Sequence, residues 1–286
     1  MKLFVLLILI SFSLGISSPN VSAEQKIVVE HYQQQARYVF GLKLLNLALS
    51  KLNLPYEVIT PDAQELNEAR GERMVISGDL DLQWMSTNVS REKTMIPIRI
   101  PIYRGVHGLR LLLVTKEKFS AISDIRTTED LRQFVGGHGS HWGDLPVYKH
   151  NKLSVVTNTS YFSLFKQLEK GYFDYFHRGL NEIWDEQARY SSKLIIADNV
   201  MLFYQHPTYF FVSKHRPELA EQLKEGLQIA LDDGSFKSLF LQEFDEVISK
   251  GKLESRKLII LNNPVIPAGT PDIDTSWWFS GIVEDK

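Results

Sequence analysis

Residues Asp79–Arg104, DLDLQWMSTNVSREKTMIPIRIPIYR, set a short polar cluster and an arginine between two apolar runs. Leu80, Leu82 and Trp84 alternate with Asp79, Asp81 and Gln83, the period of a strand that ends near Met85. The pattern then breaks at Ser86, Thr87, Asn88 and Ser90, residue types that cap a helix or turn, and Arg91 with Glu92 begins a short helix. Free N–H groups at such an end, the Ser86 and Thr87 hydroxyls and the planar guanidinium of Arg91 form what a carboxylate ligand requires for bidentate recognition. A surface arginine in a helix-capping loop is the plainer alternative.

Outward from this stretch, short strands alternate with amphipathic helices, the pattern of an α/β architecture. Strands are expected at Lys26–His31, Tyr56–Thr60, Leu109–Thr115, Leu194–Ile196 and Thr208–Ser213, and helices at Ala36–Leu52, Asn67–Ser77, Asn158–Lys170 and Pro217–Leu231. LRLLLVT at 109–115 is almost continuously apolar, as in strands buried on both faces. Ile122–Phe134 predicts a helix with Thr127 or Thr128 at its cap and acids in its first turn.

The stretch 79–104 resembles the type 2 periplasmic solute-binding proteins, and among them the family that binds amino acids for ABC transporters. There a strand ends in Ser or Thr, an Arg follows five residues later, and a Pro-Tyr pair lies beyond; Ser86, Arg91 with Glu92, and Pro101 with Tyr103 are the similar places. The resemblance implies a two-lobed α/β fold, each lobe a mixed sheet flanked by helices, with two hinge crossings and Ser86 and Arg91 holding a ligand carboxylate. It also implies backbone and hydroxyl contacts from Gly139 and Ser140 in the glycine-rich run 135–142, where His141 and Trp142 stand as wall residues. A structural glycine turn is the other reading of that run.

The chain departs from the family pattern twice. The acid that commonly binds the ligand ammonium is replaced by Gly179, preceded by Arg178, and Glu182 stands one helical turn on. Arg178 opposite Arg91 would suit a ligand with two acidic groups, or Glu182 takes over the ammonium, or His177 and Arg178 are a surface pair. The opening ligand-stacking segment is replaced by residues 32–38, where Tyr32 could still stack, and Trp84 and Trp142 complete the expected walls.

Met1–Ala23 has the order of a secretory signal: Lys2, the apolar run Leu3–Ile10 and small residues at Val21–Ala23. That run is shorter than the roughly 20 apolar residues of a membrane span. Removing 23 of 286 residues leaves 263, expected as lobe 1 (24–112 plus 205–286) and lobe 2 (113–204). The absence of cysteine excludes disulfides and lipoprotein attachment at a cysteine. With Lys2 gone, 31 basic residues face 34 acidic ones, no footprint for nucleic acid.

His138, His141 and His150 have loose metal-ligand spacing that no carboxylate or thiol pattern completes, so neither metal nor cofactor is expected. No nucleophile elbow, phosphate loop or HExxH pair argues for an enzyme. The expectation is a monomeric periplasmic protein of Gram-negative type that binds a small carboxylate-bearing ligand and partners a membrane permease. A sensory or adaptor module of the same fold, or a degenerate lobe pair, are the alternatives.

Overall fold

The computed structural model describes residues 26–34, 38–61, 68–190 and 192–279, so the signal segment 1–23 and residues 35–37 of the expected stacking segment lie outside the described residues. The elements in chain order begin with β1 (Ile27–Glu30), α1 (Val39–Ser50), β2 (Tyr56–Ile59), α2 (Glu68–Ser77), β3 (Leu82–Ser86), α3 (Val89–Thr94), β4 (Ile96–Ile98) and β5 (Leu109–Thr115). Then come α4 (Phe119–Ser123), α5 (Thr128–Leu131), β6 (Gly136–Gly139), α6 (Leu145–His150), β7 (Val155–Asn158), α7 (Tyr161–Glu169), β8 (Tyr175–Gly179) and α8 (Ile183–Arg189). The last are β9 (Leu194–Ile196), β10 (Val200–Phe203), β11 (Thr208–Val212), α9 (Pro217–Asp232), α10 (Ser235–Gly251) and β12 (Lys257–Ile260).

Two sheet systems result. β1 and β2 run parallel, β3 and β4 flank β11 antiparallel, and Asp81 joins the two groups. The Asp81 N–H donates to Glu30 O at 3.0 Å, its carboxylate accepts the Glu30 N–H at 2.8 Å, and its carbonyl accepts the Ser213 N–H at 2.8 Å. Arg216 closes the joint, donating to the Asp81 carboxylate at 2.5 Å and to Val28 O at 3.0 Å. The larger sheet runs β12-β10-β5-β8-β6-β7, with β9 also paired to β5. Segments 99–108 and 204–207 connect the two systems side by side.

Residues 257–260, expected with the first lobe, form a strand of the larger sheet, parallel to β10. The C-terminal stretch then returns to the helices, where Trp278 Nε1 donates to Arg104 O at 2.7 Å and Trp277 packs on Phe236 and Phe240. The helix expected over 122–134 is broken instead. Its cap forms at Thr127, in a capping box with Asp130, but opens only one turn, while α4 ends before it.

The alternation in β3 predicts one polar face, yet Gln83 and Met85 are as buried as Leu82 and Trp84. Val75 of α2, Tyr32 and Met95 pack with Met85 on the second face, beside Tyr209 and Phe211 of the paired strand β11. Elsewhere α1 crosses α9 closely enough that a Cβ on Gly226 would lie 2.1 Å from Ala48 O. The crossing leaves no room for a methyl group.

Candidate functional site

β3 delivers Ser86 to its end, where Asn88 caps α3 by accepting the Arg91 N–H at 2.9 Å. That cap turns the Arg91 side chain back over Ser86: Nη1 donates to Ser86 O at 2.7 Å and to its Oγ at 3.2 Å. The remaining guanidinium donors go to α2, Nη2 to Glu68 at 2.6 Å and Nε to Glu72 at 3.2 Å. Arg91 is thus matched by two carboxylates from one helix face, spaced four residues apart. Thr87 donates its hydroxyl to Glu92 at 2.7 Å, and Glu92 also pairs with Arg99.

The second sheet approaches this corner. A Cβ on Gly143 would stand 3.9 Å from Ser86 Oγ, in ordinary contact. Just beyond, Asp144 is buried and accepts from Tyr204 Oη at 2.5 Å and from Arg110 Nη2 at 3.1 Å, while His138 Nε2 lies 3.3 Å from it. Arg110 Nε donates to Tyr204 Oη at 2.7 Å and closes the triangle. Burial alone would raise the Asp144 carboxyl, but the His138 contact and the Arg110 charge hold it well below the usual carboxylate range.

His206 and His107 lie on the two connecting segments between these groups. Burial holds His206 at about 4, with Asp144 and Glu68 pulling it up and Arg110 and Arg91 pushing it down. Burial holds His107 at about 3 against the pull of Glu182, and its ring stacks on Tyr103 at 3.4 Å. His206 therefore sits in the field of both sheets' charged clusters, and Glu182 acts on His107.

The end of β8 carries the first of the two departures, Gly179 preceded by Arg178. Arg178 is buried and gives Glu186 three hydrogen bonds of 2.7 to 2.9 Å, and its Nη2 reaches Glu182 at 3.0 Å. Its guanidinium carbon is 4.9 Å from the centre of the Trp142 ring, which stacks on Phe176. Glu182 folds back over Gly179, accepting its N–H at 3.2 Å, with an oxygen 2.9 Å from where a Cβ on residue 179 would be. Burial would raise the Glu182 carboxyl, and the Arg178 and Arg110 charges bring it below its ordinary value.

Of the residues expected at the site, Ser86, Thr87 and Arg91 stand together, and Arg178, Glu182 and Trp142 form a second group. Gly139 lies under Trp142, since a Cβ there would come within 2.3 Å of the indole, and Ser140 next to it donates its N–H to Asn158 O. His141 is exposed. Trp84 lies in the core between Gly41, His31 and Phe210, and Tyr32 packs against Gly71 of α2. Glu68, Glu72, Asp144, Glu186 and Arg110 were not among the expected residues. Arg110 carried a signal, as the one charge in the apolar run 109–115, and the four-residue spacings of Glu68 with Glu72 and Glu182 with Glu186 put each pair on one helix face.

No protein-family model and no curated protein matches the sequence. Solved structures do. An amino-acid ABC transporter substrate-binding protein from Streptococcus pneumoniae bound to L-arginine superposes with a TM-score of 0.53 at 18% identity, over 78% of this chain and 95% of that one. The chain has the two-lobed periplasmic-binding-protein fold. An ancestral arginine-binding protein bound to arginine gives 0.52 at 16% identity over 77% and 98%. An ancestral amino-acid-binding protein, a precursor of cyclohexadienyl dehydratase, gives 0.51 at 16% over 77% and 95%. At such identities the likeness is one of fold. Ser86 and Arg91 stand on the first sheet system, Gly143, Asp144 and Glu182 on the second, and His107 and His206 on the segments that connect them.

Proposed function

We propose that the protein captures a small amino-acid-like ligand in the interlobe cleft and hands it to a membrane permease of ABC type. The observation that carries this reading is Arg91 folded over Ser86 at the end of β3, opposite Gly143 of the other sheet. A ligand carboxylate would exchange with Glu68 and Glu72 on the guanidinium, gaining the bidentate geometry that neither acid makes with it. Glu182, folded over Gly179, is the partner for the ligand ammonium. Gly139 and Ser140 border the second wall and Trp142 lines it, with Arg178 fixing the indole from beneath rather than meeting the ligand.

In this reading residues 24–112 and 205–286 form the first lobe, except that β12 adds a strand to the sheet of the second, 113–204. Export through 1–23 would deliver a monomeric binding protein to the periplasm, and hinge motion along 99–108 and 204–207 would close it.

A thermal-shift panel of amino acids, dicarboxylates, short peptides and polyamines tests the reading. A ligand at 100 times its dissociation constant adds about 2.7 kcal/mol, a rise of roughly 5 to 10 °C for a protein of this size. Arg91→Ala should abolish the shift produced by any hit while leaving the unliganded melting temperature within a few degrees. A hit that keeps its affinity in Arg91→Ala removes Arg91 from the site. A second reading is favoured by one observation: Arg91 and Arg178 are both already paired within the protein. A sensory or adaptor module of this fold, closed without a ligand, would give no shift with any compound.

A further inference from the structure

The stretch after β12 runs along both connecting segments before it reaches the helices. Asn263 Nδ2 donates to Gln205 O at 2.8 Å on the segment 204–207. Further on, three contacts gather at Arg104 of the segment 99–108. Its Nη2 donates to Asp274 at 2.8 Å, its carbonyl accepts the Trp278 indole N–H at 2.7 Å, and its guanidinium carbon lies 4.4 Å from the centre of the Trp277 ring. Both ends of the stretch are anchored. Lys257–Ile260 is a strand of the larger sheet, and Trp277 packs on Phe236 and Phe240 of α10.

The residue so held is a strained one. Arg104 has a φ of 45°, in the left-handed region that residues with a Cβ avoid, and Gly105 follows at 91°. Such a backbone conformation persists where its surroundings over-determine it. Here the surroundings are the stretch 273–278, which takes the Arg104 side chain and carbonyl and closes over the next residue. A Cβ on Gly105 would stand 2.7 Å from Ile273 and 3.3 Å from Thr275.

We propose that residues 261–279 are a strap over the hinge: they hold Arg104 left-handed and tie 99–108 to 204–207, so that the two sheet systems change their relative arrangement only when the strap releases Arg104. This rests on the reading of those two segments as the hinge, and on no ligand. A hinge moves where a few residues absorb a change of φ and ψ. Arg104 and Gly105 are suited to that, since leaving the left-handed region relieves the arginine, and glycine takes either hand at no steric cost. The ion pair, the indole hydrogen bond and the ring face oppose the release. Asp274 is 53% exposed, so the strap can let go at its acidic end without opening either sheet.

Pulsed electron spin resonance between spin labels tests the strap on the protein alone. The chain has no cysteine, so Lys93→Cys with Lys149→Cys, and Glu225→Cys with Lys166→Cys, place labels only at these exposed positions, one of each pair on either sheet system. Asp274→Ala with Trp277→Leu releases the strap and should broaden or shift both distance distributions. Amide exchange at 104–108 should quicken at least about tenfold, the factor that loss of one charge-assisted hydrogen bond gives. Exchange in β5 and β11 should stay as in the parent, and the milder Asp274→Ala alone should move the distances in the same direction. Gly108→Ala puts a methyl 2.1 Å from Tyr204 O and perturbs the hinge with the strap sequence intact. Distances that move in Gly108→Ala but not on strap release overturn the strap and leave the hinge standing. Distances unchanged in every variant overturn both. Lost protection in β5 or β11 on strap release, with Asp274→Ala alone leaving the distances unchanged, would make 261–279 a stabilising segment of the fold and overturn its role at the hinge.

Discussion

Substituting Glu186 by Leu tests whether Arg178 belongs to the core of its lobe rather than to a ligand. In the parent protein Glu186 accepts three hydrogen bonds from Arg178 and one from Tyr161 Oη at 2.6 Å, with side chains only 6% and 8% exposed for the Arg178–Glu186 pair. Removing one partner of a buried ion pair costs about 3 to 5 kcal/mol, because the other charge stays buried and unpaired. Glu182 still reaches Arg178 at 3.0 Å, which places the expected loss at the lower end, about 3 kcal/mol. For a protein of this size that lowers the melting temperature by roughly 6 to 12 °C. Urea denaturation should show the loss as a shifted midpoint at unchanged slope. The double variant Arg178→Met, Glu186→Leu removes both charges and should return to within about 1 kcal/mol of the parent. A loss under about 0.5 kcal/mol in the single variant, or a double variant no better than the single, would refute the argument.

Three further outcomes follow from other contacts. His31 is fully buried at a pKa of about 4, its Nδ1 accepting the Gln33 N–H, so the fold needs the ring neutral; with an unfolded value of 6.5, stability is complete above that pH and falls as pH drops towards 4. Between pH 7.5 and 4.5 this site should cost roughly 2 to 3 kcal/mol, and His31→Asn, whose side-chain oxygen accepts the same bond but cannot titrate, should lose that part of the acid sensitivity in urea midpoints taken at both pH values. Gly108→Ala would place a methyl 2.1 Å from Tyr204 O on the other connecting segment, so hydrogen exchange at 204–208 should rise and any ligand affinity fall; unchanged exchange there would show that the two segments are not held in contact. Gly226→Ala gains helix propensity but collides with Ala48 O, and overpacking of about 1 to 3 kcal/mol should outweigh the gain of about 1 kcal/mol, read as a lower melting temperature.

Much of the fold was legible because its elements rest on local signals. β5 runs Leu109–Thr115 as its unbroken apolar run predicts, α7 begins after the Ser160 cap, and α9 begins at Pro217. The helix over 122–134 failed because Thr127 is a strong cap in mid-run: it starts a new helix and stops the earlier pattern from continuing. The alternation of β3 misled in another way, since period two reports the strand but not whether a second layer covers its polar face; Val75 of α2, Tyr32 and Met95 pack there, and Tyr209 and Phe211 of the paired strand β11, more than 120 residues later, extend the same face.

At the candidate site, the sequence by itself determined that Ser86 and Arg91 lie together, because a strand end and a helix cap five residues apart leave the chain few alternatives. It also determined that residue 179 offers no acid. Only the tertiary structure decided what those groups meet. Glu68 and Glu72 reach Arg91 from a helix before β3, Glu186 claims Arg178, and Glu182 folds over the glycine where an acid was missing. The physical reason is that charge is matched by distance in space, where a few ångströms between covered groups outweigh any spacing along the chain.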